Sequence, residues 1–197
     1  STGGNGTSWD HAFADLQDAL AAAASCPDYT EIWVAQGMYF PDRETGDRNA
    51  SFLLLNNVAL FGGFAGAETS RAERNWTAHP TILSGDIGLS GDSTDNSYTV
   101  VTAIDVDSTA LIDGFTIRDG NADEVFINTF TPHNAGGGMF SDGSDVRVRH
   151  CIFQRNAAYV GGGLFHHVGG NPSISQCSFL DNSARDSGGG LYNAARP

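Results

Sequence analysis

Asp86, Asp92, Asp95 and Asn96 crowd into one stretch, Asp86-Ile87-Gly88-Leu89-Ser90-Gly91-Asp92-Ser93-Thr94-Asp95-Asn96. Three carboxylates and an amide in a glycine-containing loop form a donor set for Ca2+, which takes roughly six to eight oxygens, backbone carbonyls among them. The spacing is not that of an EF-hand. The same residue types cap turns, so a calcium site and a plain acidic loop both stand at this point. His166-His167 follows Gly163-Leu164-Phe165, and strand alternation sends one imidazole inward and one outward. With no further ligand at zinc spacing, they are expected to form a surface pair. Asp105 with Asp107, and Arg118 with Asp119, are the kinds of pair that acid–base chemistry uses. In a chain with 18 Asp and 10 Arg such neighbours are common, and they read as solvated turn charges. No catalytic residue is assigned.

The elements that would position these residues repeat. Gly136-Gly137-Gly138-Met139-Phe140, Gly161-Gly162-Gly163-Leu164-Phe165 and Gly188-Gly189-Gly190-Leu191-Tyr192 start 25 and 27 residues apart. Cys151-x-Phe153-x-x-Asn156 and Cys177-x-Phe179-x-x-Asn182 recur at 26. A self-similar unit of this length is a stacking coil, in which glycines turn corners, Phe and Cys fill the core and Asn121, Asn156 and Asn182 form a column. Cys151 and Cys177 should lie about 4.8 Å apart, and a buried thiol ladder suits that better than a disulfide. Upstream, Glu31–Ala35, Met38–Phe40, Ser51–Leu55, Val58–Phe61 (stopped by Gly62-Gly63), Thr81–Leu83, Tyr98–Ile104, Ala110–Ile112 and Phe115–Ile117 read as short strands between Gly, Asn and Asp corners. Residues 8–24 read as an amphipathic helix, N-capped by Thr7 or Ser8, that covers the first rung.

The expected fold is therefore all-β, a right-handed parallel β-helix (solenoid) of about six to eight rungs with an N-terminal amphipathic capping helix. It forms a single domain over 1–197, with lead-in and helix at 1–27, irregular rungs at 28–122, an insertion at 123–135 and regular rungs at 136–197. The 66–80 stretch is a short helix or loop. The insertion places Val125, Phe126, Ile127 and Phe130 outside the repeat, either packed back on the coil or offered to a partner. Leu191 and Tyr192 begin a rung with no second cap. Either the natural protein continues past residue 197, or this end meets another molecule.

The net charge is −13 with no lysine, which argues against nucleic-acid partners, and no segment reaches the length of a membrane span. The Gly-Gly-Gly and Cys-x-Phe-x-x-Asn units resemble the polymorphic outer-membrane-protein repeat family. More broadly, Trp9-Asp10-His11-Ala12-Phe13 to Leu20, Ile32-Trp33-Val34-Ala35, Leu60-Phe61-Gly62-Gly63-Phe64 and Leu83-Ser84-Gly85-Asp86-Ile87 are similar to parallel β-helix repeat proteins of bacterial surfaces. The resemblance implies an extracellular or cell-surface location and supplies no catalytic residues. The expectation is a non-enzymatic structural or adhesion protein, stabilised by Ca2+, that self-associates end to end or binds another surface protein or a glycan. The alternative is a carbohydrate-active β-helix, a polysaccharide lyase or glycan-binding module, with a groove lined by aromatics such as Trp33, Tyr39 or Tyr159.

Overall fold

The computed structural model describes residues 4–126 and 128–194. Its strands form four parallel sheets. The first holds Glu31–Ala35, Ala59–Phe64, Leu111–Asp113, Arg147–Arg149 and Ser173–Ser175. The second holds Gly37–Tyr39, Thr81–Ser84, Phe115–Arg118, Ile152–Gln154 and Ser178–Leu180. The third holds Phe52–Leu53, Val101–Ile104, Met139–Asp142, Leu164–His166 and Leu191–Asn193. A smaller sheet joins Asn121–Ala122, Ala157–Val160 and Ser183–Ser187. Strands follow chain order in every sheet, so successive strands visit the sheets in turn. The described residues make five such tiers, fewer than the six to eight expected, because residues 40–51, 65–80, 85–100 and 123–138 are long connections within tiers.

One core lies between the three large sheets, built from alternate residues such as Leu60, Leu83, Val101, Ile112, Ile117, Val148 and Phe153. Phe153 and Phe179 stack at 4.9 Å, one above the other in register. Cys151 and Cys177 sit in the same column as free thiols, and burial pushes the Cys151 thiol well above its ordinary range.

The helix is shorter than expected. A single 3-10 turn occupies Trp9–His11, and the α-helix spans Leu16–Ser25, N-capped by Asp15, whose Oδ1 accepts from Gln17 N at 2.8 Å. The chain leaves the helical path at Ala12 because Trp9 is needed elsewhere. It packs on Phe64 at 5.5 Å and donates its indole N–H to Glu68 O. Leu16, Leu20 and Ala23 enter the main core, and Gln17 Nε2 ties the helix to Pro41 O and Ser51 O.

Strand Ala59–Phe64 runs through Gly62-Gly63 instead of stopping there. A Cβ on Gly62 would stand 2.5 Å from Gly114 O, and Gly63, at φ +94, faces the Trp76 backbone at 2.6 Å. These glycines admit neighbouring backbone rather than end a strand. Residues 65–80 are a loop with one 3-10 turn, Arg71–Glu73, closed by a Ser70/Glu73 capping box.

At the corner before the Asn column the left-handed residue is the one preceding the Asn position: Asp119, Arg155 and Asp181, at φ 60, 54 and 53, recur in successive tiers. Asn156 and Asn182 do stack, with Asn156 Nδ2 donating to Asn182 Oδ1 at 3.0 Å. Asn121 is not in that column. It pairs with Ala157, and its place is taken by Gly120, where a Cβ would meet Gly137 O at 1.9 Å. Asn156 Oδ1 accepts from Gly120 N and its Nδ2 also donates to Ile117 O, all fully buried. Asn156→Ala is expected to leave these groups unpaired and to lower unfolding stability by about 3 kcal/mol, read from urea denaturation, whereas Asn121→Ala costs under about 1 kcal/mol.

Candidate functional site

Three of the long connections, 40–51, 85–100 and 123–138, leave the same corner in tiers one, two and three, between the second and third sheets. The expected calcium loop and the expected apolar insertion are therefore neighbours. Arg48, in the first connection, holds them together. Its Nε donates to Asn96 O at 2.7 Å, and its Nη2 donates to Asn121 O at 3.1 Å and Asp123 Oδ1 at 2.8 Å. Its guanidinium lies 4.0 Å over the Tyr98 ring, and Tyr98 N donates back to Arg48 O. Tyr98 in turn packs on His133 of the third connection at 4.6 Å. Thr99 Oγ1 donates to Pro132 O, and Asn121 Nδ2 to Ser93 O. No motif in the sequence marks Arg48; only its position in the first of three stacked connections gives it this role.

Within the second connection the carboxylates differ in what remains free. Asp86 accepts from Gly91 N at 2.8 Å and Ser90 Oγ at 3.4 Å, and Asp92 Oδ1 accepts from Thr94 N and Oγ1. Both cap the loop's own turns, and the Thr94 bonds hold the Asp92 carboxyl below its ordinary range. Asp95 Oδ2 accepts from Leu89 N, while Asn96 Nδ2 donates to Asp119 O. Asp95 Oδ1, Asn96 Oδ1 and the adjacent Ser97 Oγ are buried without a partner. Among the described residues no three His, Cys, Asp or Glu side chains gather around one point.

The insertion packs back onto the third sheet. Phe126 stacks on Tyr159 at 5.5 Å and contacts Phe130 at 4.8 Å; Phe130 lies 4.9 Å from Phe165. Phe165 belongs to an outer ladder, Phe140, Phe165 and Tyr192, which the insertion partly covers. Val125 is 73% exposed at its tip, and Leu191 is 40% exposed on the last tier. Ile127 lies outside the described residues.

Trp33 and Tyr39, expected in a groove, line a cleft of about 750 Å3 between the capping segment and the first tier, with Trp9, Phe13 and Tyr29. Tyr159 is under the insertion instead. Glu68 closes one side of the cleft. Burial pushes its carboxyl up, but the N–H groups of Ala65, Ala67, Glu68 and Gly66 outweigh that and hold it at about 2.

The histidine pair is not a surface pair. His166 is buried, with Nδ1 3.2 Å from Ser141 Oγ, and only His167 reaches the surface, 2.9 Å from Asp142 Oδ1. A second inter-tier cluster joins Asp113 to Arg74 and His150, each at 2.9 Å, with Trp76 against His150 at 4.5 Å. Asp119 likewise pairs with Arg118 and with Arg155 of the next tier.

Comparison with family models, with curated proteins and with solved structures finds no match for this chain.

Arg48→Ala is expected to expose 85–100 and 123–134 to limited proteolysis at sites silent in the parent, and to lower stability by about 2 kcal/mol through the lost charge-assisted bonds. His166 supplies a pH signature. Burial lowers its pKa below the ordinary histidine value of 6.5, so the unfolded chain takes up a proton first. The stability held by neutral His166 is complete above about pH 6.5 and falls as pH drops below it. Thermal melts from pH 8 to 5 should show this decline, and His166→Leu should flatten it.

Proposed function

We propose that this chain is a right-handed parallel β-helix acting as a non-enzymatic extracellular or cell-surface structural or adhesion protein. The handedness follows from the rule that strand–crossover–strand connections between parallel neighbours are right-handed. The observation that supports the reading best is the corner where connections 40–51, 85–100 and 123–138 stack, clamped by Arg48 and carrying exposed Val125. Rigid tiers presenting stacked loops form a display surface. The resemblance to surface repeat proteins points the same way.

Self-association is placed on the last tier. Among the described residues, strands Ser173–Ser175, Ser178–Leu180, Ser183–Ser187 and Leu191–Asn193 pair on one side only, with Phe179 half-buried and Leu191 exposed at that edge. Such edges template pairing with another chain. Calcium is placed on the unpartnered oxygens of Asp95 and Asn96, with Ser97 beside them. Asp86 and Asp92 then support the loop around the ion by capping its turns.

A second reading, a glycan-binding module, has its own observation. The outer face of the first sheet carries Trp33, Phe61, Asp113, Arg149 and Ser175 in a single register row, in which Phe61 and Asp113 are buried and Trp33, Arg149 and Ser175 keep accessible surface. An aromatic ring, a guanidinium and a hydroxyl accessible in one row suit a sugar chain lying along the tiers.

Analytical ultracentrifugation of the 197-residue chain, in Ca2+ and in chelator, tests the assembly. Concentration-dependent association that Leu191→Asp abolishes is expected, with a Ca2+-dependent rise in melting temperature that Asp95→Asn removes. A monomer at all concentrations, with a melting temperature indifferent to Ca2+, would sink both assignments.

A further inference from the structure

Among the nine described arginines, six hold a carboxylate within 4.0 Å: Arg43, Arg48, Arg71, Arg74, Arg118 and Arg155. Arg147, Arg149 and Arg185 hold none. In a chain of net charge −13, arginine without a carboxylate is the exception. Two of these three share one short strand, Arg147–Arg149, with Val148 between them in the core. Strand alternation sends both guanidinium groups to the outer face, their Cα atoms roughly 6.6–6.8 Å apart. Ser173 and Ser175 stand directly opposite them on the neighbouring strand, which adds two hydroxyls on that face.

The nearby acids are already engaged. Asp113, in register with Arg149, has its Oδ1 taken by Arg74 and His150, and Asp145 Oδ1 accepts from Asn171 N. Arg147 Nε is buried with no hydrogen-bond partner among the described residues, so no acceptor of the chain holds this guanidinium. Leu111, in register with Arg147, forms an apolar floor beside it.

We propose that Arg147 and Arg149, with Ser173 and Ser175, form a site for the carboxylate or sulfate group of an acidic glycan. A guanidinium fork matches an oxyanion through two parallel N–H donors, and two forks on one flat face hold it from both sides. The serine hydroxyls meet sugar hydroxyls as donor or acceptor. The negative charge elsewhere on the protein opposes a long polyanion, so recognition is of one acidic group at a time. The choice of a glycan rests on the glycan-binding reading above; the pair of free arginines does not depend on it.

Calorimetric titration of the full chain at low ionic strength tests this, with oligogalacturonate as the carboxylate probe, a heparin oligosaccharide as the sulfate probe, and poly-glutamate and inorganic sulfate as controls. One of the glycans should bind, weakening as salt rises, and Arg147→Gln and Arg149→Gln should each reduce affinity about tenfold while Arg185→Gln leaves it unchanged. Arg149 is solvent-exposed, so Arg149→Gln alone reports on binding without disturbing the fold, which its melting temperature checks. Glycan binding unaffected by either substitution overturns this site while leaving the glycan-binding reading intact. Binding of poly-glutamate or inorganic sulfate alone, or of nothing, overturns both.

Discussion

Every part of this structure depends on keeping parallel strands in register from tier to tier, although register partners in the first sheet lie from 26 (Arg147 to Ser173) to 52 (Ala59 to Leu111) residues apart along the chain. Parallel pairing gives each strand one partner before and one after, and each side chain stands beside its counterpart one tier away. A slip of one residue would send the whole core-facing set outward. The chain therefore has to return to the same height at each corner, and corners are where its special conformations gather. Gly136, Gly161 and Gly188 take positive φ at the head of each triplet, and Asp119, Arg155 and Asp181 do so at the opposite bend. The later glycines of the triplets let backbone approach backbone: a Cβ on Gly138 or Gly163 would lie 2.4 Å from the carbonyl of the next tier.

The register also decides what the polar groups do. Stacked corners leave backbone N–H and C=O groups facing each other with no strand to pair them, and side chains fill the gap. Asn156 and Asn182 satisfy four backbone partners between them. Asp113 draws in Arg74 and His150, and Asp119 draws in Arg118 and, from the next tier, Arg155. Asp119, which beside Arg118 resembles part of a catalytic pair in isolation, here bonds to the next tier through Arg155. What is left over after this demand is met is correspondingly informative. The oxygens of Asp95, Asn96 and Ser97 and the side chains of Arg147 and Arg149 are not used to hold tiers together.

Much of the strand framework is legible in the sequence, because it is written in local sterics and period. The Cys-x-Phe-x-x-Asn unit placed Phe153 and Phe179 in the core and Asn156 and Asn182 at a corner, and both placements hold. Three departures from local expectation share a cause. Gly62-Gly63 was expected to end a strand and instead lies within one. Asn121 was expected in the Asn column and is one residue out of it. His166 and His167 were expected as a surface pair with one imidazole inward and one outward; the split holds, but the inward one, His166, is fully buried beside Ser141. In each case the local residue types are correct for their backbone, and the error lies in which neighbour from another tier sits alongside. The helix shortened for a related reason, since Trp9 leaves the helical path to reach Phe64 and Glu68, more than fifty residues away.

By itself the sequence determined the repeat length, the positions of the corners, the alternation that divides core from surface and the acidic character of the loops. These follow from φ preferences, side-chain volume and hydrophobic period, which act within a few residues. Only the tertiary structure decided that connections 40–51, 85–100 and 123–138 share one corner, that Arg48 joins them, and that Arg147 and Arg149 face outward without acids. For every paired arginine but Arg118, pairing depends on which residue the fold delivers beside it, tens of positions away along the chain. That distance carries no local signal. The period announces the stack, and the stack assigns the partners.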